Sequence, residues 1–342
     1  MTRSRIPPRA PAALLRAPAA LPRAPAALLR ASAALLVLAA LLSFSCAPSR
    51  QASGHRTAGH RVFGATYMTM VNPFFVNLDD GLREIVEARG DKLISYDPGS
   101  DQLKQIDQVE DLIRMGVDAI FLNPVDWRLV KPALDAARRA GIPVINVDAP
   151  VYDLDLVECL VSSDNLRAGR LLAADLAARL PRARIALIDH LQAKSAIDRT
   201  VGFLETLPQN GEYIVVSRYS GDGNIEQALV GMETILKSVP RIDVVFATND
   251  PMATGAIAAL DSAGLAGQVL VYGIDGAPYA KKMIMEGRMT ATAAQSPVEI
   301  GRTAADVAYR ILQGEKVERT VLVPVFLIDA SNVGRYGAEG WQ

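Results

Sequence analysis

From about Arg61 to Leu327 the chain alternates short, β-branched apolar runs with longer amphipathic stretches, and that alternation leaves few folds open. The runs are Val62–Tyr67, Lys92–Tyr96, Ala119–Leu122, Pro143–Val147, Ile185–Ile188, Tyr213–Val216, Val244–Ala247, Val269–Tyr272 and Met289–Ala294. Between them, in stretches such as Leu82–Arg89, Leu129–Arg139, Arg167–Leu180, Glu226–Lys237, Ala253–Ala263 and Gly301–Leu312, apolar residues recur at spacings of three and four, as helices burying one face require. Strands separated by helices of this length predict parallel sheets with right-handed crossovers. The nearly all-apolar strand interiors require sheets covered on both faces. About nine or ten strands exceed what one doubly wound sheet usually holds, so the chain is expected to be α/β with two Rossmann-like, doubly wound parallel-sheet lobes. The boundary is expected near Ser162–Asp164, where Asp164 and Asn165 form a good N-cap pair for a long helix. No Gly/Ser-rich or Pro-rich linker interrupts this body, so the lobes share hinges rather than a loose tether.

The formal net charge of −1 hides two different materials. Residues 1–45 carry six arginines and no acid, which leaves −7 on the rest. From Arg9 the leader repeats every seven residues as RAPAALL, RAPAALP, RAPAALL, RASAALL, but Pro11, Pro18, Pro22 and Pro25 exclude one continuous helix up to about Pro25. The segment then turns uncharged and apolar from Ala31 to Ser45, with Cys46 after it, which is the layout of a secretory signal rather than of a span of about 20 apolar residues. Residues 1–45 are expected to be a cleaved signal peptide, and the small polar residues 46–60 a flexible tether. Only Cys159 remains in the body, inside an apolar run, so no disulfide framework is expected there and Cys159 reads as a buried small hydrophobe.

In open parallel sheets, ligands bind beyond the carboxyl ends of the strands. In this chain nearly every strand ends on a polar residue: Asn72 with Phe74 and Phe75 follow the first; Asn123, Asp126 and Trp127 follow Ala119–Leu122; Asp148 follows Val147; and Asp189 with His190 follow Ile188. Thr248, Asn249 and Asp250 follow Ala247, Asp275 follows Ile274, and Gln295 follows Ala294. Singly, each reads as a helix cap. Together, Asn72, Asp148, Asn249, Asp275 and Gln295 are amides and carboxylates without a His or Cys cluster, which suits hydrogen bonding better than metal ligation or nucleophilic chemistry. A carboxylate accepts from two neighbouring hydroxyls, Arg199 supplies a forked donor, and Phe74 and Phe75 offer aromatic faces to the C–H side of a ring. That inventory fits a neutral polyol, with no cofactor and no metal.

NPFF at 72–75, NPVD at 123–126, GIPVINVD at 141–148, SSDN at 162–165, DRTVGF at 198–203, FATND at 246–250, GIDGAP at 273–278 and ATAAQSP at 291–297 together resemble the ribose/galactose-type periplasmic sugar-binding proteins, in the same order over residues 61–327. The resemblance implies a type I periplasmic binding fold, with two lobes joined by a three-crossover hinge that close on a monosaccharide and pass it to an ABC transporter permease or, in some members, to a chemoreceptor or sensor kinase. It assigns residues 61–162 plus 297–326 to the first lobe and 163–296 plus 327–342 to the second. It implies that Asn72, Asp148, Arg199, Asn249, Asp275 and Gln295 hydrogen-bond the sugar and that Phe74 and Phe75 contact its ring. Cys46, flanked by Ser45 and Ala47, resembles the acylated cysteine of bacterial lipoproteins, which implies a lipid-anchored monomer in the periplasm or cell envelope; the leucine sits at Leu42 rather than three residues before the cysteine.

Two departures bear on the ligand. Asp148 is followed by Ala149 where ribose-type members usually carry Arg, and Asp222-Gly223-Asn224 is followed by Ile225 where many carry an aromatic residue. A second stacking face is then either absent or supplied by Tyr219, Trp127 or His190, which together with Asp126 are the candidates for the pocket rim. A repressor built on the same fold is disfavoured by the apolar leader and the acidic body, and no nucleic-acid partner is expected. An enzyme acting on a sugar or nucleoside would rest on the lone Asp189–His190 pair.

Overall fold

The computed structural model describes residues 60–342; the expected signal peptide, the tether up to residue 59 and Cys46 lie outside the described residues. The chain runs β1 (Val62–Thr66), α1 (Pro73–Ala88), β2 (Lys92–Tyr96), α2 (Gln102–Met115), β3 (Ala119–Leu122), α3 (Lys131–Ala140), β4 (Val144–Val147) and β5 (Cys159–Ser163). It continues through α4 (Asn165–Arg179), β6 (Ala183–Asp189), α5 (Lys194–Thr206), β7 (Tyr213–Ser220), α6 (Ile225–Ser238), β8 (Val244–Ala247), α7 (Asp250–Ser262), β9 (Leu270–Asp275), α8 (Pro278–Met285) and β10 (Ala291–Ala294). It ends with α9 (Pro297–Leu312), β11 (Thr320–Val323) and β12 (Phe326–Asp329).

Two six-stranded sheets result, in the orders β11-β5-β4-β3-β1-β2 and β12-β10-β9-β8-β6-β7. All neighbours are parallel except β12, which runs antiparallel to β10. Chain order enters the second sheet after β5, returns to the first for β11, and crosses again for β12, which makes three crossovers between the sheets. Strand β5 of the first sheet ends at Ser163, and β12 of the second sheet starts at Phe326.

The strands bury both faces, as their composition requires. In β3, Ala119 and Phe121 join the core that holds Phe63, Leu78 and Leu82, while Ile120 and Leu122 join the opposite core with Leu112 and Leu134. In β8, Val244 and Phe246 face Phe203 and Tyr272, whereas Val245 and Ala247 face Met252 and Ile257. Each large side chain so buried contributes roughly 1.5–3 kcal/mol. Cys159 is fully buried, and burial pushes its thiol up to about 11, so it behaves as the small hydrophobe expected.

Twelve strands stand where the periodicity indicated about nine or ten, because β11 and β12 are short and separated only by Pro324 and Val325. Helix α1 starts nine residues before its clearest periodic stretch. Its start is set by capping: the Asn72 side chain accepts from the Phe74 amide at 3.0 Å and Pro73 occupies the first turn, where its missing N–H costs nothing.

Helices α4 and α5 approach unusually closely, through two glycines. A Cβ on Gly169 would stand 2.0 Å from the Arg199 carbonyl oxygen, and one on Gly202 would stand 2.1 Å from that of Leu166. This contact holds the helix that carries Arg199.

Candidate functional site

The carboxyl ends of both sheets converge on a cavity of about 650 Å³. The first lobe lines it with Met68, Asn72, Phe74, Phe75 and Asp148, and the second with His190, Ser195, Arg199, Thr248, Asn249, Asp275 and Gln295. Asp148 follows β4 and Asp275 ends β9, so one buried carboxylate comes from each sheet. Both have positive φ, 60° and 145°, a conformation L-residues rarely adopt and one that costs about 1–3 kcal/mol per residue. Such strain persists where surrounding bonds hold it. The Asp148 amide donates to the Val161 carbonyl at 2.8 Å and its own carbonyl accepts from the Ser162 hydroxyl, while the Asp275 carbonyl accepts from the Gln295 amide at 2.9 Å.

The side chains are held from behind and left open in front. Asn123, fully buried at the end of β3, donates from Nδ2 to Asp148 Oδ2 at 3.1 Å and accepts the Met68 amide at 3.0 Å. Gln295 Nε2 donates to Asp275 Oδ1 at 2.8 Å. Arg199 projects from α5 and is 5% exposed; its Nε donates to Asn165 Oδ1 and its Nη1 to the Thr248 carbonyl, both at 2.8 Å. The opposite oxygens, Asp148 Oδ1, Asp275 Oδ2 and Gln295 Oε1, are buried without a hydrogen-bond partner within the protein, as is the Thr248 hydroxyl. Leaving such groups unsatisfied costs about 1–3 kcal/mol each, more when charged, so these residues form a set of acceptors ready for hydroxyl donors.

The electrostatics follow from burial. Asp148 is pushed up to about 6 by desolvation, opposed by Arg199 and Asn123. Asp275 rises well above the carboxylate range through burial and through the neighbouring Asp250, with Arg199 opposing. Asp250 itself accepts from the Ala277 amide and the Thr292 hydroxyl, each at 2.8 Å, and burial lifts it to about 6. One guanidinium thus serves three buried carboxyl groups.

All eight residues expected to bind the ligand line the cavity, and so does His190. Two of them also have structural duties. Asn72 caps α1, and Asn249 caps α7 by accepting from Met252 N at 2.9 Å while its Nδ2 donates to the Gly223 carbonyl at 2.9 Å. The expected rim is otherwise placed. Asp126 turns back to accept from the amides of Arg128 and Leu129. The Trp127 ring packs at a tilt against Tyr152, with centroids 5.5 Å apart and planes at 57°, and its backbone amide reaches across to the Gln192 carbonyl of the other lobe at 3.1 Å. Tyr219 packs over Gly231 against the core of the second sheet. None of the three lines the cavity.

The Asp189–His190 pair is not assembled as a dyad. Asp189 forms its ion pair with Arg218, and burial shifts His190 toward the neutral imidazole. Among the described residues, no group of three or more His, Cys, Asp or Glu side chains is placed to hold a metal ion.

Asn165 and Thr248, which hold Arg199, escaped the sequence reading of the site. Asp164 and Asn165 read as an N-cap pair for α4; Asp164 is the cap, accepting from Arg167 N at 2.9 Å, and Asn165 is left to accept from Arg199 Nε. The SSDN motif was the available signal, because it offers two capping residues where a helix needs one.

The family model described as "Periplasmic binding protein domain" matches residues 63–316. The chain is 36% identical over 294 residues to the ribose import binding protein RbsB of Bacillus subtilis, covering 85% of this chain and 95% of that one. Among solved structures, it is similar to an ABC transporter solute binding protein from Bacillus halodurans with bound myo-inositol, with a TM-score of 0.78 and 30% identity over 83% of this chain and all of that one. It is also similar to a periplasmic solute binding protein of an ABC transporter from Actinobacillus succinogenes with bound D-allose, with a TM-score of 0.74 and 28% identity over 81% of this chain and all of that one.

Proposed function

The chain belongs to the periplasmic binding protein family, and from that premise we propose that it is an extracytoplasmic solute-binding protein that captures one small neutral sugar or cyclitol between two closing lobes and delivers it to an ABC transporter permease. The observation that carries this reading is the pairing of Asp148 from one sheet with Asp275 from the other, each with a buried oxygen lacking a partner in the same cavity. A polyol hydroxyl bonded to each carboxylate satisfies both only when the lobes are together, so binding and closure are one event. Asn72, Asn249, Arg199 and Gln295 complete the polar contacts, and Phe74 and Phe75 meet the apolar face of the ring. The closing bodies are residues 61–162 with 297–326, and 163–296 with 327–342.

The chemistry is binding without covalent steps: the acceptors are buried carboxylates, and the histidine in the cavity lacks a carboxylate partner that would activate it. Cys46 anchors the protein to the envelope through a lipid after removal of residues 1–45, and the protein acts as a monomer. Thermal-shift measurements with D-ribose, D-allose, myo-inositol, other pentoses and hexoses, and nucleosides test this reading. At least one of the sugars or cyclitols raises the melting temperature; stabilisation by none of them, or by nucleosides alone, removes the sugar assignment.

A further inference from the structure

Residues 340–342 touch both lobes at a point next to the cavity. On the first lobe, the Trp341 ring meets Phe74 edge-on, with centroids 5.9 Å apart and planes at 72°. Trp341 packs against the core that holds Phe74 and also against the core behind the second sheet. On the second lobe, Lys281 of α8 is fully buried and donates from Nζ to the Gly340 carbonyl at 2.6 Å. The Gln342 side-chain amide, oriented to satisfy its neighbours, accepts from Lys281 Nζ at 2.5 Å and donates to the Gly276 carbonyl at 3.2 Å. A buried ammonium must be partnered, so Lys281 fixes this short segment against the strand end that carries Asp275. Phe74 is a cavity wall in the first turn of α1, where few backbone bonds restrain it.

We propose that Trp341 is a positioning residue for the binding site: tied to the second lobe through Lys281, it sets the Phe74 ring that forms the cavity wall on the first. The contact supplies edge-on packing to the Phe74 ring, and it joins the two lobes independently of anything bound between them. The effect on affinity rests on the sugar-binding reading; the effect on Phe74 does not.

The test compares wild type with Trp341→Ala and Trp341→Phe by hydrogen exchange without ligand and by calorimetric titration with D-ribose, D-allose and myo-inositol. In Trp341→Ala the amides of residues 74–78 exchange about tenfold faster while those of α2 are unchanged, and affinity for the bound sugar falls about tenfold; Trp341→Phe, which keeps a ring edge, restores both to near wild type. Unchanged exchange at residues 74–78 overturns the proposal, and so does faster exchange with unaltered affinity. If wild type binds none of the three probes, the sugar reading fails, and the exchange result alone decides whether Trp341 sets Phe74. Should Trp341→Ala not fold, Trp341→Leu, which fills space without a ring, is read by the same two measurements.

Discussion

Arg199 Nη1 lies 3.7 Å from Asp275 Oδ1, beyond hydrogen-bond length, while the same nitrogen donates to the Thr248 carbonyl at 2.8 Å. The guanidinium is therefore oriented by neutral groups of its own lobe and not consumed by the carboxylate it faces. The outer oxygen of Asp275 is left without a partner in the protein, and Arg199 opposes the rise in its pKa that burial and Asp250 cause.

That orientation depends on the close approach of α4 and α5. Gly169→Ala places a methyl group on the Arg199 backbone and forces α5 outward. Overpacking of this kind costs about 1–3 kcal/mol, and more here because the obstructing atoms are backbone. Calorimetric melting shows a drop of several degrees, and titration shows weakened sugar binding in the same variant. An unshifted melting point would mean that the helices can part without cost.

Asn165→Ala removes the acceptor of Arg199 Nε inside a buried cluster. Leaving a charged donor unpaired costs about 1.5–3 kcal/mol, so affinity falls roughly tenfold to a hundredfold. Asp164→Ala, which removes the true cap of α4, lowers stability by about 1 kcal/mol with little change in affinity. Chemical denaturation and titration of the two variants separate these roles.

The raised carboxyl groups fix the sign of the pH response. Asp148 titrates near 6 in the folded chain against about 3.9 when unfolded, so between these values the folded state holds the extra proton. The ligand-free protein therefore gains stability from this group as pH falls from 7 toward 4, and loses it as pH rises through 6. Asp250 adds to the trend in the same direction. Sugar binding runs the other way, because a protonated Asp148 is a weaker acceptor, so the ligand-induced rise in melting temperature shrinks below pH 6. Asp148→Asn removes its share of both slopes; identical slopes in wild type and variant would contradict the assignment.

Much of this site was legible because it lies at strand ends. Asp148, Asp275 and Gln295 each follow an apolar run whose period and length mark a buried parallel strand, and that position alone puts them at the ligand edge. Arg199 sits mid-helix, where no strand-end rule marks it; only its chemistry as a forked donor and the resemblance point to it. Asn123 and Asn165 act through residues 25 and 34 positions away, a relation that sequence spacing does not carry. Trp127 and Tyr219 read as aromatic candidates for the rim, but their rings are taken up by Tyr152 and by the core of the second sheet. Strands β11 and β12 were missed for a similar reason: each is only four residues long, and their pairing with separate sheets is a tertiary choice.

The proposed lipid attachment at Cys46 has a direct readout. Mass spectrometry of the mature N-terminus finds acylated Cys46 as the first residue, and Cys46→Ser shifts the protein from the membrane fraction to the soluble one. An unmodified N-terminus elsewhere would remove the anchor.

Calorimetric titration of wild type, Asp148→Asn and Asp275→Asn at pH 7.5 with the stabilising sugar decides whether one ligand is held by carboxyl groups from both lobes. Wild type binds one-to-one and, because a buried carboxyl acceptor is lost in each case, either variant loses at least about a hundredfold in affinity with the fold intact. Wild-type affinity in either variant would contradict it.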